Sequence, residues 1–163
     1  MDRKTAHGRV LAACFLFFAI ACSSTVNAQW KTGPTAPDVS ARQILDLQKR
    51  PDIKQQYVIV DVRSDAESKV SIIPDAITVK EFEKNSGQYQ GRAVIVYCTV
   101  GVRSAEYANK LKKQGWNAFN YKGSILDWCK NNLPLTTRDG KATKRVHGYS
   151  RWYSVPRNYV AVY

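Results

Sequence analysis

The sequence predicts an α/β domain, a parallel sheet of about five strands with helices on both faces. Three observations predict it. Tyr57-Val58-Ile59-Val60-Asp61-Val62 and Ala93-Val94-Ile95-Val96-Tyr97 are short, nearly continuous apolar runs rich in β-branched residues, as strands buried on both faces are. Segments with helical spacing alternate with these runs, which implies crossover connections and parallel pairing. Hydrophobic residues make up 44% of the 163 and charged residues 23%, a balance that suits one folded domain and excludes wholesale disorder.

The chain opens with Arg3, Lys4 and Arg9, the apolar run from Val10 to Ala21, and a polar stretch from Ser23 to Ala28. This order predicts a secretory signal peptide over residues 1–28, cleaved after Val26-Asn27-Ala28. The run is shorter than the roughly 20 residues a membrane span needs. One alternative is a lipoprotein signal, Ala19-Ile20-Ala21-Cys22, which would tie Cys22 to a membrane; another is an uncleaved anchor. Leu11-Ala12-Ala13-Cys14 follows Arg9 with no apolar stretch ahead of it and is set aside. Each reading places the protein outside the cytoplasm, in the periplasm or anchored at its membrane.

Residues 29–37, with Gly33, Pro34 and Pro37, read as a linker, and residues 38–135 as the domain. Ser40 caps a helix with Ile44, Leu45 and Leu47 on one side, ended by Pro51. The first strand follows at Tyr57. Ile72 to Val79 reads as a turn into a second short strand, and 80–84 as helix or loop before the Asn85-Ser86-Gly87 break. The strand over 93–97 ends at Cys98, a tight loop covers Thr99 to Arg103, and a helix runs from Ser104 to a stop at Gly115. Residues 116–121 suit another strand. Gly123-Ser124 opens a last helix through Ile125, Leu126 and Trp128, stopping near Pro134. Residues 136–163 form a C-terminal extension, expected to pack on the domain.

Net charge is +12, unevenly spread, and the extension alone carries six basic residues against one acidic. Its Arg138, Lys141, Lys144, Arg145, Arg151 and Arg157 alternate with Tyr149, Trp152, Tyr153, Tyr159 and Tyr163. Such interleaving suits nucleic acid or an anionic membrane, but no nucleic-acid motif accompanies it, and no nucleic-acid partner is expected. The simpler expectation is that the aromatics, with His147, pack back on the domain while the charges stay solvated. Four cysteines (14, 22, 98 and 129) and two histidines are too few and too scattered for a disulfide scaffold or a zinc centre. No metal and no cofactor are expected.

Cys98 stands where ligands bind in an open parallel sheet, just past the carboxyl end of a strand. A short loop entering a helix aims several backbone N–H groups at its own centre, and the helix dipole adds positive charge. With Arg103 beside it, this cradle stabilises a thiolate and suits a small anion. Gly101 supplies the backbone freedom the turn needs. The plain alternative is a buried cysteine at a strand end.

Asp61-Val62-Arg63, Ile73-Pro74-Asp75-Ala76, Tyr97-Cys98 through Arg103-Ser104, Gly123-Ser124-Ile125 to Trp128 and Leu133-Pro134-Leu135 resemble a single-domain rhodanese. The resemblance implies a rhodanese-like fold and a sulfurtransferase, with Cys98 as the active-site residue. It implies that the amides of Thr99, Val100, Gly101, Val102 and Arg103 bind the transferred or departing anion. It assigns Asp61 and Arg63 a structural role near the site. Ser71-Ile72-Ile73-Pro74-Asp75-Ala76 lacks the Gly and His common at this turn in relatives, and Thr99 stands where thiosulfate-using members carry a cation. The implied reaction passes sulfur from a small sulfane donor such as thiosulfate to a thiol acceptor (a small thiol or a redox protein) or to cyanide.

Two other classes stay open. A phosphatase or arsenate reductase would use Cys98 and Arg103 on an oxyanion, but that loop is one residue longer than the four residues found between them. A secreted binding or persulfide-carrier module would use the same fold without turnover. Cys129, beside Trp128, is either a packed side chain or a resolving thiol for Cys98.

Overall fold

Along strand β1 (Tyr57–Asp61), Val58 and Val60 pack to one side of a sheet while Tyr57 and Ile59 pack to the other. The same division holds in β3 (Ala93–Tyr97), with Val94 and Val96 opposite Ile95 and Tyr97. Both strands are apolar on both faces because both faces are covered. The computed structural model describes residues 35–163. The expected signal peptide, Cys14, Cys22 and most of the linker lie outside the described residues.

The central sheet is parallel, in the order β2-β1-β3-β4, with β2 over Ala76–Thr78 and β4 over Asn117–Asn120. Pro37 and Val39 bond to the two sides of Asn120, and Asp38 pairs with it in a parallel bridge, so the linker's end lies along the outer edge of β4. One face is covered by helices α3 (Val79–Lys84) and α4 (Val102–Lys113), through Phe82, Ala108 and Leu111. The other carries α1 (Ala41–Gln48) and α5 (Ser124–Lys130), through Ile44, Ile125 and Trp128.

Ser40 caps α1 as expected, in a reciprocal capping box with Gln43. Helix α2 (Asp65–Val70) has no counterpart in the sequence reading; Ser64 and Glu67 form its capping box. Residues 79–84 are helical. Helix α4 starts at Val102, two residues before the expected Ser104, because Gly101 at φ 96° already serves as its N-cap.

The extension begins with a small antiparallel pair, β5 (Leu135–Thr136) and β6 (Ala142–Thr143). A parallel pair follows, β7 (Arg145–His147) and β8 (Val160–Val162). Val146 is fully buried, and Tyr159, 6% exposed, joins the same core cluster as Trp128. Arg138 binds Ser68 and pairs with Asp65 at 2.8 Å, tying the extension to α2. Inward packing of the aromatics holds for Tyr159; Tyr149, Trp152, Tyr153 and Tyr163 stay exposed, Trp152 at 95%. Tyr149, Trp152 and Tyr153 lie on the β7–β8 connection, and Tyr163 follows β8.

Candidate active site

The strand order reverses between β1 and β3, and the loops leaving these two neighbours meet at their carboxyl ends. Cys98 is the first residue past β3, 1% exposed. Two backbone bonds set the loop's orientation. The first amides of α5 donate to it, Ile125 N to Cys98 O at 3.1 Å and Leu126 N to Thr99 O at 3.3 Å. With those carbonyls held outward, the loop's own N–H groups turn inward on the sulfur.

Gly101 N donates to Cys98 Sγ at 3.1 Å. Ser104 Oγ lies 3.6 Å from Sγ and 2.8 Å from Asn120 Oδ1, with one proton to share between them. Ser124 Oγ accepts from Cys98 N at 3.0 Å, donates to Tyr121 O at 2.9 Å, and stands 3.8 Å from the sulfur. Burial pushes the Cys98 thiol up, but the hydrogen bonds from Ser104, Gly101 and Val100 outweigh it and hold the pKa below the ordinary value. Cys129 is equally out of water, at 0% exposed. Burial pushes its thiol up to about 12, with the charges of Arg63 and Lys144 opposing only weakly. The contrast isolates the cause. Two buried cysteines differ because one receives amide donors and the other sits among Trp128 and its apolar neighbours.

Arg103, at the end of the loop, is engaged by neighbouring side chains. Its Nη1 and Nη2 grip the two oxygens of Glu67 at 2.8 Å each, and Nη2 also donates to Thr99 Oγ1 at 2.9 Å. Thr99 Oγ1 donates to Glu67 Oε1 at 2.7 Å. Burial opposes the charge on Glu67, yet Arg103, Ser64 and Thr99 together pull its pKa down to about 2. The network clamps the loop to α2. Among the residues expected to bind the anion, Gly101 presents its amide to the sulfur, Thr99 and Arg103 hold the loop, and Val102 is 63% exposed.

Asp61 and Arg63 form a fully buried pair at 2.7 Å behind the site. Tyr97 Oη donates to Asp61 Oδ2 at 2.9 Å and accepts from Ile73 N, and Arg63 Nη2 donates to Ser71 O at 2.6 Å. This network joins β1, β3 and the turn before β2, and makes no contact with Cys98 among its bonds. Glu67, Ser104, Ser124 and Asn120 were not singled out as site residues by sequence. Ser104 and Ser124 stand within the motifs that resemble a rhodanese, and Glu67 closes Ser64-Asp65-Ala66-Glu67, the spacing of a capping box; Asn120 has no local signal.

Fold and site together define an α/β domain with a buried cysteine of lowered pKa at the carboxyl end of a parallel strand. A profile described as Rhodanese-like domain matches residues 40–131, more than half of the chain, and the chain belongs to the rhodanese family. A protein of Allochromatium vinosum named Sulfurtransferase is 30% identical over 104 residues, which span 58% of this chain and 92% of that protein. A tRNA uridine(34) hydroxylase of Rickettsia akari is 33% identical over 95 residues, 49% of this chain but 38% of the relative. Two solved structures share the fold. The rhodanese-related protein of Thermoplasma volcanium superposes with a TM-score of 0.51 at 22% identity, covering 61% of this chain and 97% of that one. The thiosulfate sulfurtransferase of Pseudomonas aeruginosa gives 0.56 at 15% identity, over 66% of this chain and 21% of that one. At the level of the family, this is a sulfurtransferase domain.

Proposed function

We propose that the protein moves sulfane sulfur from an anionic donor such as thiosulfate to a thiol or cyanide through a persulfide on Cys98. The observation that carries this reading is the Cys98 sulfur itself, buried, fed by loop amides and held below the ordinary thiol pKa. In the first step the thiolate attacks the outer sulfur of thiosulfate. A new S–S bond forms, the donor's S–S bond breaks, and sulfite leaves with the electron pair. In the second, an acceptor thiolate or cyanide attacks the terminal sulfur, giving an acceptor persulfide or thiocyanate and restoring the Cys98 thiolate.

The amide directed at Sγ stabilises the Cys98 thiolate that attacks in the first half of the cycle and is restored in the second. Burial at 1% exposure shields the persulfide from oxidation. Arg103 is already bound to Glu67 and Thr99, which disfavours the phosphatase-type reading, where the arginine must grip the oxyanion. Thiocyanate formation from thiosulfate and cyanide tests the proposal, with activity expected in the wild type and absent in Cys98→Ser. Equal turnover by both proteins would overturn it. The leader reading adds export to the periplasm, which cell fractionation and a mature N-terminus at Gln29 would support; a cytoplasmic protein starting at Met1 would reject it.

A further inference from the structure

We propose that Tyr149, in the extension beyond the family-matched residues, is a positioning residue that holds Arg103 and, through it, the Cys98 loop. Its ring lies over the Arg103 guanidinium, 4.9 Å from centroid to Cζ. The edges of that guanidinium are taken by Glu67 and Thr99, so the ring closes a face that those bonds leave open. Arg103 comes two residues after Gly101, whose amide donates to Cys98 Sγ at 3.1 Å, and immediately before Ser104, whose hydroxyl lies 3.6 Å from it. Displacing Arg103 therefore displaces the donors on either side of it.

Tyr149 is also built to stay where it is. Its φ of 67° is a left-handed conformation, uncommon for a bulky residue and kept only where the surroundings enforce it. Its N–H donates to His147 Nδ1 at 3.0 Å, and His147 ends β7, whose middle residue Val146 is fully buried. The Tyr153 ring stands 6.3 Å from it, tilted by 49°. A strained turn, a fixed strand and a second ring thus support one aromatic contact on a site arginine. A merely solvated tail requires none of these.

The inference rests on Cys98 as the reactive thiol and not on the identity of the sulfur donor, so its test reads the thiol directly. Alkylation of the full chain by iodoacetamide is followed across pH on the Cys98 peptide by mass spectrometry. Tyr149→Ala is expected to slow alkylation at neutral pH by about two- to fivefold, the size of a cation–π contact at an exposed site, and to move the midpoint upward. Tyr149→Phe, which keeps the ring, is expected to restore the wild-type profile. An unchanged profile in Tyr149→Ala, even with a lowered Tm, would overturn the proposal and leave the contact as tail packing. A Phe variant as slow as the Ala variant would overturn it too, because the hydroxyl and not the ring would then be responsible. Failure of the sulfurtransferase reading shows separately, as a wild type that alkylates normally at Cys98 but accepts no sulfur.

Discussion

Substituting Gly101 by alanine places a methyl group where the site has no space for one. A Cβ there would lie 2.1 Å from Lys122 O and 2.9 Å from its carbonyl carbon, where ordinary contacts begin at 3.4 Å. The obstacle is backbone, so it cannot rotate away; loop and neighbour must separate by about 1 Å. Forcing a side chain into the left-handed conformation costs about 1–2 kcal/mol. Relieving the overlap costs about 1–3 kcal/mol more. Together these predict a loss of about 3 kcal/mol, or about 10 °C in Tm for a domain of this size. The chemistry suffers more than the fold. The same movement takes Gly101 N off Cys98 Sγ, now 3.1 Å away, and a misplacement of about 1 Å is worth about a hundredfold in rate. Thermal unfolding and iodoacetamide alkylation of the Cys98 peptide measure the two effects. A Gly101→Ala protein that melts within about 2 °C of wild type and alkylates at the wild-type rate would show that the loop accommodates a Cβ at this position.

Three other perturbations separate the parts of the site. Glu67→Gln removes the carboxylate under Arg103, whose side chain is 37% exposed, and is expected to cost about 2–3 kcal/mol in urea unfolding, below the figure for a fully buried pair. Because Glu67 has a folded pKa of about 2, below its unfolded value, its contribution is complete above about pH 4.5 and is lost as pH falls toward 2. Acid titration of stability should therefore be shallower in Glu67→Gln across that window, and identical curves would remove Glu67 from the clamp. Asp61→Asn strands the buried Arg63, whose Nη1 already lacks a hydrogen-bond partner, and is expected to cost about 3–5 kcal/mol; a loss under about 1 kcal/mol would contradict the pair's role. Cys129→Ala should leave Cys98 alkylation unchanged, since its thiol is pushed up to about 12, and a Cys98–Cys129 disulfide in the oxidised wild type would show that reading to be wrong.

The strands around the site were legible because burial on both faces leaves an uninterrupted apolar run, and Cys98 was legible as the residue that ends one. Helix α2 was not. Its six residues, Asp65 to Val70, hold few apolar side chains and bury Glu67, so hydrophobic periodicity had nothing to detect. The engagement of Arg103 was beyond reach for another reason. Its partner Glu67 lies 36 residues earlier, and only the pairing of β1 with β3 brings them together. The start of α4 at Val102 depends on the backbone of Gly101, which no side-chain pattern reports. In the extension, strands of two or three residues fall below the length at which alternation can be read. The Tyr149 contact with Arg103 follows from that unread geometry.

Sulfur loading of Cys98 is the central claim, and intact mass spectrometry reads it without any choice of acceptor. The reduced protein is incubated with thiosulfate beside Cys98→Ser, then treated with cyanide. A gain of one sulfur atom is expected in the wild type alone, with its loss on cyanide treatment. An equal gain in Cys98→Ser, or a wild type that takes no sulfur from thiosulfate or any other sulfane donor, would contradict it.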